Sequence, residues 1–314
     1  MTEEEYEKCD AWNKMILEEF LMQPHFSPDT VKQYKSAGKI FLRFVYDRFQ
    51  NKPIYTLRAR NGMLYQSWLN SIGLSSSAVR LRRSLVSSLC NYIELYYGDE
   101  NEELKSFRNI FPKGVTHVPQ SFKNEKEPLT LDEWNHLIKT LDEREEYQMK
   151  LYALLSFESG ARRGEVIQIR KECVDYEKVK DSNRYATHNV RGKGKGEDGK
   201  QFRLLFGEET MEAMKKWLEI RKDDAEPALF VRKFKDGRVE PLQRETFNEW
   251  CSRVFSEILN RRFAPHDFRR SRATILSEQG VPIERIQRLL QHESSETTSI
   301  YILSEDDEDM DDFF

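Results

Sequence analysis

The feature that most constrains this chain is a break in its pattern. Between Pro112 and Pro128 the stretch KGVTHVPQSFKNEKE carries no apolar period and is rich in Gly, Pro and charge, which is the composition of a linker. On both sides of it apolar residues recur at helical spacing, so the 314 residues do not read as one continuous core. The length also favours two domains of ordinary size. The expected layout is a helical domain over 1–113, a linker over 114–129, a second domain over 130–304 and an acidic tail over 305–314.

In the first domain the apolar residues from Trp12 to Met22 fall at helical spacing until Pro24 ends the run. Ser27-Pro28-Asp29 opens another helix, with Val31, Tyr34, Ile40, Phe41, Phe44 and Val45 on an apolar stripe. Lys32, Lys35, Lys39 and Arg43 lie more to the other side. Asn61 to Leu69 and Ser75 to Tyr97 read as two more helices, the second opened by three serines that can cap it. In the second domain Thr130 to Glu133 caps a helix, Met149 to Phe157 reads as a buried helix stopped by Gly160, and Arg163 to Arg170 resumes helical spacing. Tyr185 to Phe206 reads as a β-hairpin around the glycine-rich loop RGKGKGEDGK, and helices follow at 209–222, 243–260, 265–279 and 282–291. The fold class is therefore mainly α with a small β-hairpin or sheet.

Charge is unevenly placed. The net charge is −4, yet residues 21–98 carry eleven Lys and Arg against Asp29, Asp47 and Glu94. Residues 1–20 carry seven acids and two bases, and residues 305–314 seven acids and no base. A basic segment between acidic ends suits a polyanion partner better than the average suggests. No run approaches the ~20 apolar residues that cross a bilayer, and MTEEEYEKCDAW lacks the basic flank of a signal peptide, so no membrane and a cytoplasmic location are expected. Cys9, Cys90, Cys173 and Cys251 are far apart, and no histidine pair has metal-ligand spacing; no metal and no cofactor are expected.

The last 50 residues concentrate phosphate chemistry. HDFRRSRAT sets His266 and Arg269 three apart, on one face of a helix. LLQH ends at His292, and Tyr301 follows nine residues later. Arginine donates paired hydrogen bonds to nonbridging phosphate oxygens, and a tyrosine hydroxyl, of pKa near ~10, needs a positive field and a proton acceptor before it attacks. His266 is the candidate acceptor.

SGARRGEVIQI at 159–169, the GKG at 192–194, HDFRRSRAT and LLQH with its tyrosine occur in one order, and in that order they resemble the tyrosine recombinase (phage integrase) family. The resemblance covers the whole second domain and the 75–97 helix. It implies a helical, SAM-like core-binding domain and a mixed, mostly helical catalytic domain closing as a clamp on double-stranded DNA. It makes Arg162 and Arg269 the phosphate-binding pair, Lys193 the general acid, His266 and His292 their partners, Tyr301 the nucleophile and Glu165 the acid orienting Arg162. Lys195 and Lys200 share the hairpin with Lys193. The activity implied is site-specific cleavage and rejoining of DNA through a 3′-phosphotyrosine, without metal or ATP.

Lys32, Lys35, Lys39, Arg43, Arg80, Arg82 and Arg83 are the expected DNA contacts of the first domain. The family implies a homotetramer on DNA, with monomer or dimer open for the free protein. Two other readings share the scaffold: a DNA-binding regulator that has lost cleavage, and a type IB topoisomerase. The tail, ILSEDDEDMDDFF from Ile302, is either a solubilising end or a segment whose Phe313 and Phe314 dock on a neighbouring subunit.

Overall fold

The computed structural model describes residues 2–112, 127–192 and 200–290. Their contacts divide them into two compact units, one on each side of the 113–126 stretch. The expected tail, together with Lys193, Lys195, His292 and Tyr301, lies outside the described residues.

The first unit is all helix: α1 (Glu3–Glu7), α2 (Ala11–Leu21), α3 (Pro28–Arg48), α4 (Ala59–Ser71), α5 (Ser76–Tyr97) and α6 (Glu102–Ser106). Side chains that satisfy orphan N–H groups set the starts: Asp10 caps α2, Ser27 caps α3 with Pro28 in its first turn, and Ser75 caps α5. Of the apolar stripe read from the sequence Phe41, Phe44 and Val45 are buried and Val31, Tyr34 and Ile40 only half-buried; Tyr65 of α4 and Leu89 and Ile93 of α5 complete the core. Each such side chain contributes roughly 1.5–3 kcal/mol on leaving water. Gly38 lets α2 and α3 meet closely, since a Cβ there would lie 2.6 Å from Leu17 Cδ1. Helices α1 and α6 have five residues each, too few for a period, and were not expected. Capping holds both: Thr2 and Glu5 form a capping box on α1, and Asn101 caps α6.

The second unit begins with α7 (Leu131–Glu143), α8 (Tyr147–Ser159) and α9 (Arg163–Val166). Helix α8 is buried without a break from Leu151 to Phe157 and runs through the middle of the core. Tyr152 stacks on Phe247 at 4.0 Å between ring centroids, and Phe157 on Trp134 at 4.1 Å. Then come β1 (Tyr185–Ala186), β2 (Val190–Gly192), β3 (Lys200–Phe202), β4 (Leu205–Phe206), α10 (Glu208–Arg221), β5 (Val231–Lys233), β6 (Val239–Pro241), α11 (Arg244–Glu249), α12 (Ser256–Ile258), α13 (Pro265–Glu278) and α14 (Ile283–Leu290). The unit is mainly helical with three small antiparallel pairs, β1–β4, β2–β3 and β5–β6.

Three local expectations need correcting. The helix expected over 163–170 stops at Val166, because Ile169 and Arg170 pair instead with Leu229 and Ala228. The 185–206 hairpin is interrupted: the Thr187 hydroxyl accepts from Leu204 N–H at 3.0 Å where a ladder bond would stand, splitting it into two pairs. The 243–260 helix passes through a π-helical stretch, Trp250–Phe255. The β5–β6 hairpin, turning at Gly237 with φ 88°, was not foreseen. All four cysteines are buried thiols. Among the described residues no helix is long and apolar enough to cross a membrane.

Candidate functional site

The site grows from the end of α8. Gly160 leaves the helix with φ 61°, and a Cβ there would lie 2.4 Å from Leu290 Cδ2, so both the turn and the approach of α14 require glycine. The turn delivers Arg162 to the N-cap of α9, where the Glu165 carboxylate accepts from the Arg162 N–H at 2.7 Å and from its guanidinium at 2.9 Å. Glu165 is 2 % exposed, whereas the Arg162 side chain keeps about a third of its surface open (32 %). Glu165 is thus a buried anchor rather than a surface acid, and Arg162 is held at its base with its face open.

Helix α13 brings the second pair. The Asp267 carboxylate accepts from Ala264 N–H at 2.8 Å, fixing the start of the helix, and Pro265 sits in its first turn. Arg269, 1 % exposed, donates to the Gly160 carbonyl at 2.7 Å and to the Leu290 carbonyl. One side chain therefore ties α13 to the end of α8 and to the end of α14, two residues before His292. His266 presents part of its ring to solvent, yet its pKa is pulled down to about 4. Burial of the rest of the ring is the first cause, followed by the charges of Arg269, Arg162 and Arg270, with Asp267 opposing. At neutral pH this imidazole is uncharged and can accept a proton.

Arg162 acts on His266, while Arg163 acts on Tyr152 and Glu245. Arg162, Glu165, His266 and Arg269 come together as the sequence suggested; Lys193, His292 and Tyr301 lie outside the described residues.

Strand β2 packs against the same turn. A Cβ on Gly192 would stand 2.3 Å from the Phe202 ring and 3.4 Å from Glu165 Oε1. The Gln168 side chain bonds to both backbone groups of Arg191, at 2.8 and 2.9 Å. Neither the Gln168 contact nor the two carbonyls on Arg269 could be foreseen: they join residues 23 and 21 or more apart in sequence through backbone atoms. Gly160 alone had a signal, as the helix stop. A cleft of about 370 Å³ opens beside Ser159, lined by Arg203, Arg285 and Arg288 and by Leu204, Leu205 and Leu289.

The first unit's basic residues divide in two. Lys32, Lys35 and Arg80 are exposed. Lys39 pairs with Glu3 at 2.7 Å, and Arg43 with Glu5 at 2.9 Å and Asp47 at 2.7 Å. Arg82 donates to the Ala78 carbonyl, and Arg83 lies over the Phe111 ring at 5.0 Å. Among the described residues no cluster of three or more His, Cys, Asp or Glu could hold a metal.

The chain is similar to known proteins over most of its length. The Phage integrase family model matches residues 127–308. The chain is 34% identical over 301 residues to the SPbeta prophage-derived recombinase-like protein YomM of Bacillus subtilis, covering 96% of this chain and 89% of that protein. It is 30% identical over 292 residues to the tyrosine recombinase XerA of Pyrococcus furiosus, covering 91% and 88%. Among solved structures it resembles the Tn1549 transposon integrase in complex with transposon right end DNA, with TM-score 0.68 and 13% identity over 96% of this chain and 99% of that one. XerH site-specific recombinase bound to its difH substrate matches at TM-score 0.66 and 21% identity over 86% and 75%.

Proposed function

We infer the chemistry from a fixed premise: this chain belongs to the phage integrase family of tyrosine recombinases and is a site-specific DNA recombinase. It binds DNA, as the Tn1549 integrase and XerH do in the structures it resembles. The observation that carries the catalytic assignment is geometric: Glu165 holds Arg162 on the turn after Gly160, Arg269 bonds the Gly160 carbonyl that opens that turn, and His266 lies one helical turn before Arg269 on α13. Two guanidinium charges around one proton acceptor suit a phosphodiester whose negative charge grows in the transition state.

In this reading Tyr301 Oη attacks the scissile phosphorus while its phenolic proton passes to His266. The bond from phosphorus to the 5′ oxygen breaks, and Lys193 gives that oxygen a proton. The products are a 3′-phosphotyrosine and a free 5′ hydroxyl, and rejoining is the reversal of these steps on a second 5′ end. Arg162, open to solvent and held by Glu165, is the direct donor to the nonbridging oxygens. Arg269 lends charge from its buried position and holds the Leu290 carbonyl at the end of α14. The arginines around the Ser159 cleft, with Lys32, Lys35 and Arg80, supply contacts to flanking phosphates. The protein acts in the cytoplasm as a homotetramer on two DNA sites.

Incubation with a nicked duplex that sheds its short 5′ strand after cleavage tests this. A covalent protein–DNA adduct that is lost in Tyr301→Phe supports the reading. Tight binding without an adduct favours the DNA-binding regulator, and relaxation of supercoils without exchange between two sites favours the topoisomerase.

A further inference from the structure

We propose that Gln168 is a positioning residue for the general-acid lysine. Its side-chain amide donates to the Arg191 carbonyl at 2.9 Å and accepts from the Arg191 N–H at 2.8 Å. Both bonds go to the backbone of one residue, so the amide pairs with β2 much as a neighbouring strand would. The same Nε2 also donates to the Gly164 carbonyl, the residue before Glu165. Strand β2 is thereby pinned, through one side chain, to the helical turn that carries the Glu165–Arg162 pair.

The other face of β2 is held as closely. Arg191 pairs with Gln201 of β3, and Gly192 leaves no room for a Cβ against the Phe202 ring. Lys193 is bonded directly to Gly192, so its Cα begins about 3.8 Å from a residue whose placement Gln168 helps to fix. A proton donor misplaced by about 1 Å loses on the order of 10²-fold in rate. The hydrogen bonds of Gln168 thus fix the strand residues that precede the lysine against the turn that carries Arg162. This rests on the assignment of Lys193 above.

The test compares two DNA substrates in single-turnover cleavage. One has the ordinary phosphodiester; in the other the scissile 5′ bridging oxygen is sulfur, which leaves as a thiolate and needs no proton. Gln168→Ala is expected to slow cleavage of the ordinary substrate by about 10–100-fold, the range for losing an orienting partner. It should cleave the sulfur substrate at close to the rate of the unaltered protein, which also shows that it folds. Lys193→Ala should show the same pattern. Gln168→Glu, which keeps the acceptor for Arg191 N–H and loses the donor, should fall between. If Gln168→Ala cleaves both substrates normally, or both equally slowly, Gln168 does not act through the lysine and the proposal is overturned. If Lys193→Ala is itself not rescued by sulfur, the general-acid assignment fails and takes this inference with it.

Discussion

Lys39 and Arg269 carry the same charge in opposite surroundings. Lys39 lies on α3, half-buried, its charge offset by an exposed Glu3 2.7 Å away and its ammonium over the Tyr6 ring at 4.5 Å. Arg269 is 1 % exposed, and among the partners it holds are backbone carbonyls of two other segments. An exposed ion pair stabilises a protein by ~0–1 kcal/mol and is screened by salt. Carbonyl dipoles orient a buried guanidinium, and burial shields its charge from the salt that screens an exposed pair. One unit therefore offers adjustable attraction to a polyanion and the other a fixed field at one point.

The largest effect should follow from breaking the fixed field. Arg269→Ala removes one charge and leaves two buried carbonyls without that donor, so adduct formation should fall by ~10²–10³-fold or more, with a lowered unfolding midpoint. Glu165→Gln keeps the shape but removes the charge anchoring Arg162. Its cleavage rate should fall by about 10–100-fold while DNA affinity changes little, since Arg162 would still be present but would lose one of its two hydrogen bonds and its ion pair. Retained cleavage in Glu165→Gln would mean that Arg162 orients itself.

The adjustable charges should behave differently. Lys32→Ala or Lys35→Ala should each lower the slope of log affinity against log salt by about 1 and leave cleavage of bound DNA unchanged. Lys39→Ala should lower it by less, because Glu3 already offsets that charge and its carboxyl is held below the usual range by the Lys39 hydrogen bond. Equal slopes for Lys35→Ala and Lys39→Ala would erase the distinction.

The smallest effect is on pH. The imidazole of His266 should titrate near 4 by NMR, against 6.5 for an ordinary histidine. Its folded pKa lies below its unfolded one, so between those values the unfolded chain binds the proton first. The stability it contributes is therefore complete above about 6.5 and lost as pH falls toward 4. Without His266, in His266→Gln, the fall in stability over that window should be shallower.

Much of this was legible in the sequence wherever a local rule carried it. Helical period and capping residues placed α2, α3, α5 and α13, and the Gly160 stop lay where the Arg162 turn begins. Ordered motifs brought Arg162, Glu165, His266 and Arg269 together although 104 residues separate the first and third. What escaped depends on tertiary partners. Arg170 had every local reason to continue α9 but pairs with Ala228, and Thr187 breaks a hairpin that alternation alone would have left whole. Lys39 and Arg43 looked like any others on the basic stripe until α1, too short to show a period, laid Glu3 and Glu5 against them.

The central claim is that Arg162, set by Glu165 and backed by Arg269, offsets charge on the scissile phosphate. Single-turnover cleavage by Arg162→Ala on a duplex with a neutral methylphosphonate at the scissile position tests it most directly. If the claim holds, the ~10²-fold or greater defect expected on the natural phosphodiester shrinks by at least about tenfold once the nonbridging charge is gone. A defect of the same size on both substrates would contradict it, leaving Arg162 a structural residue.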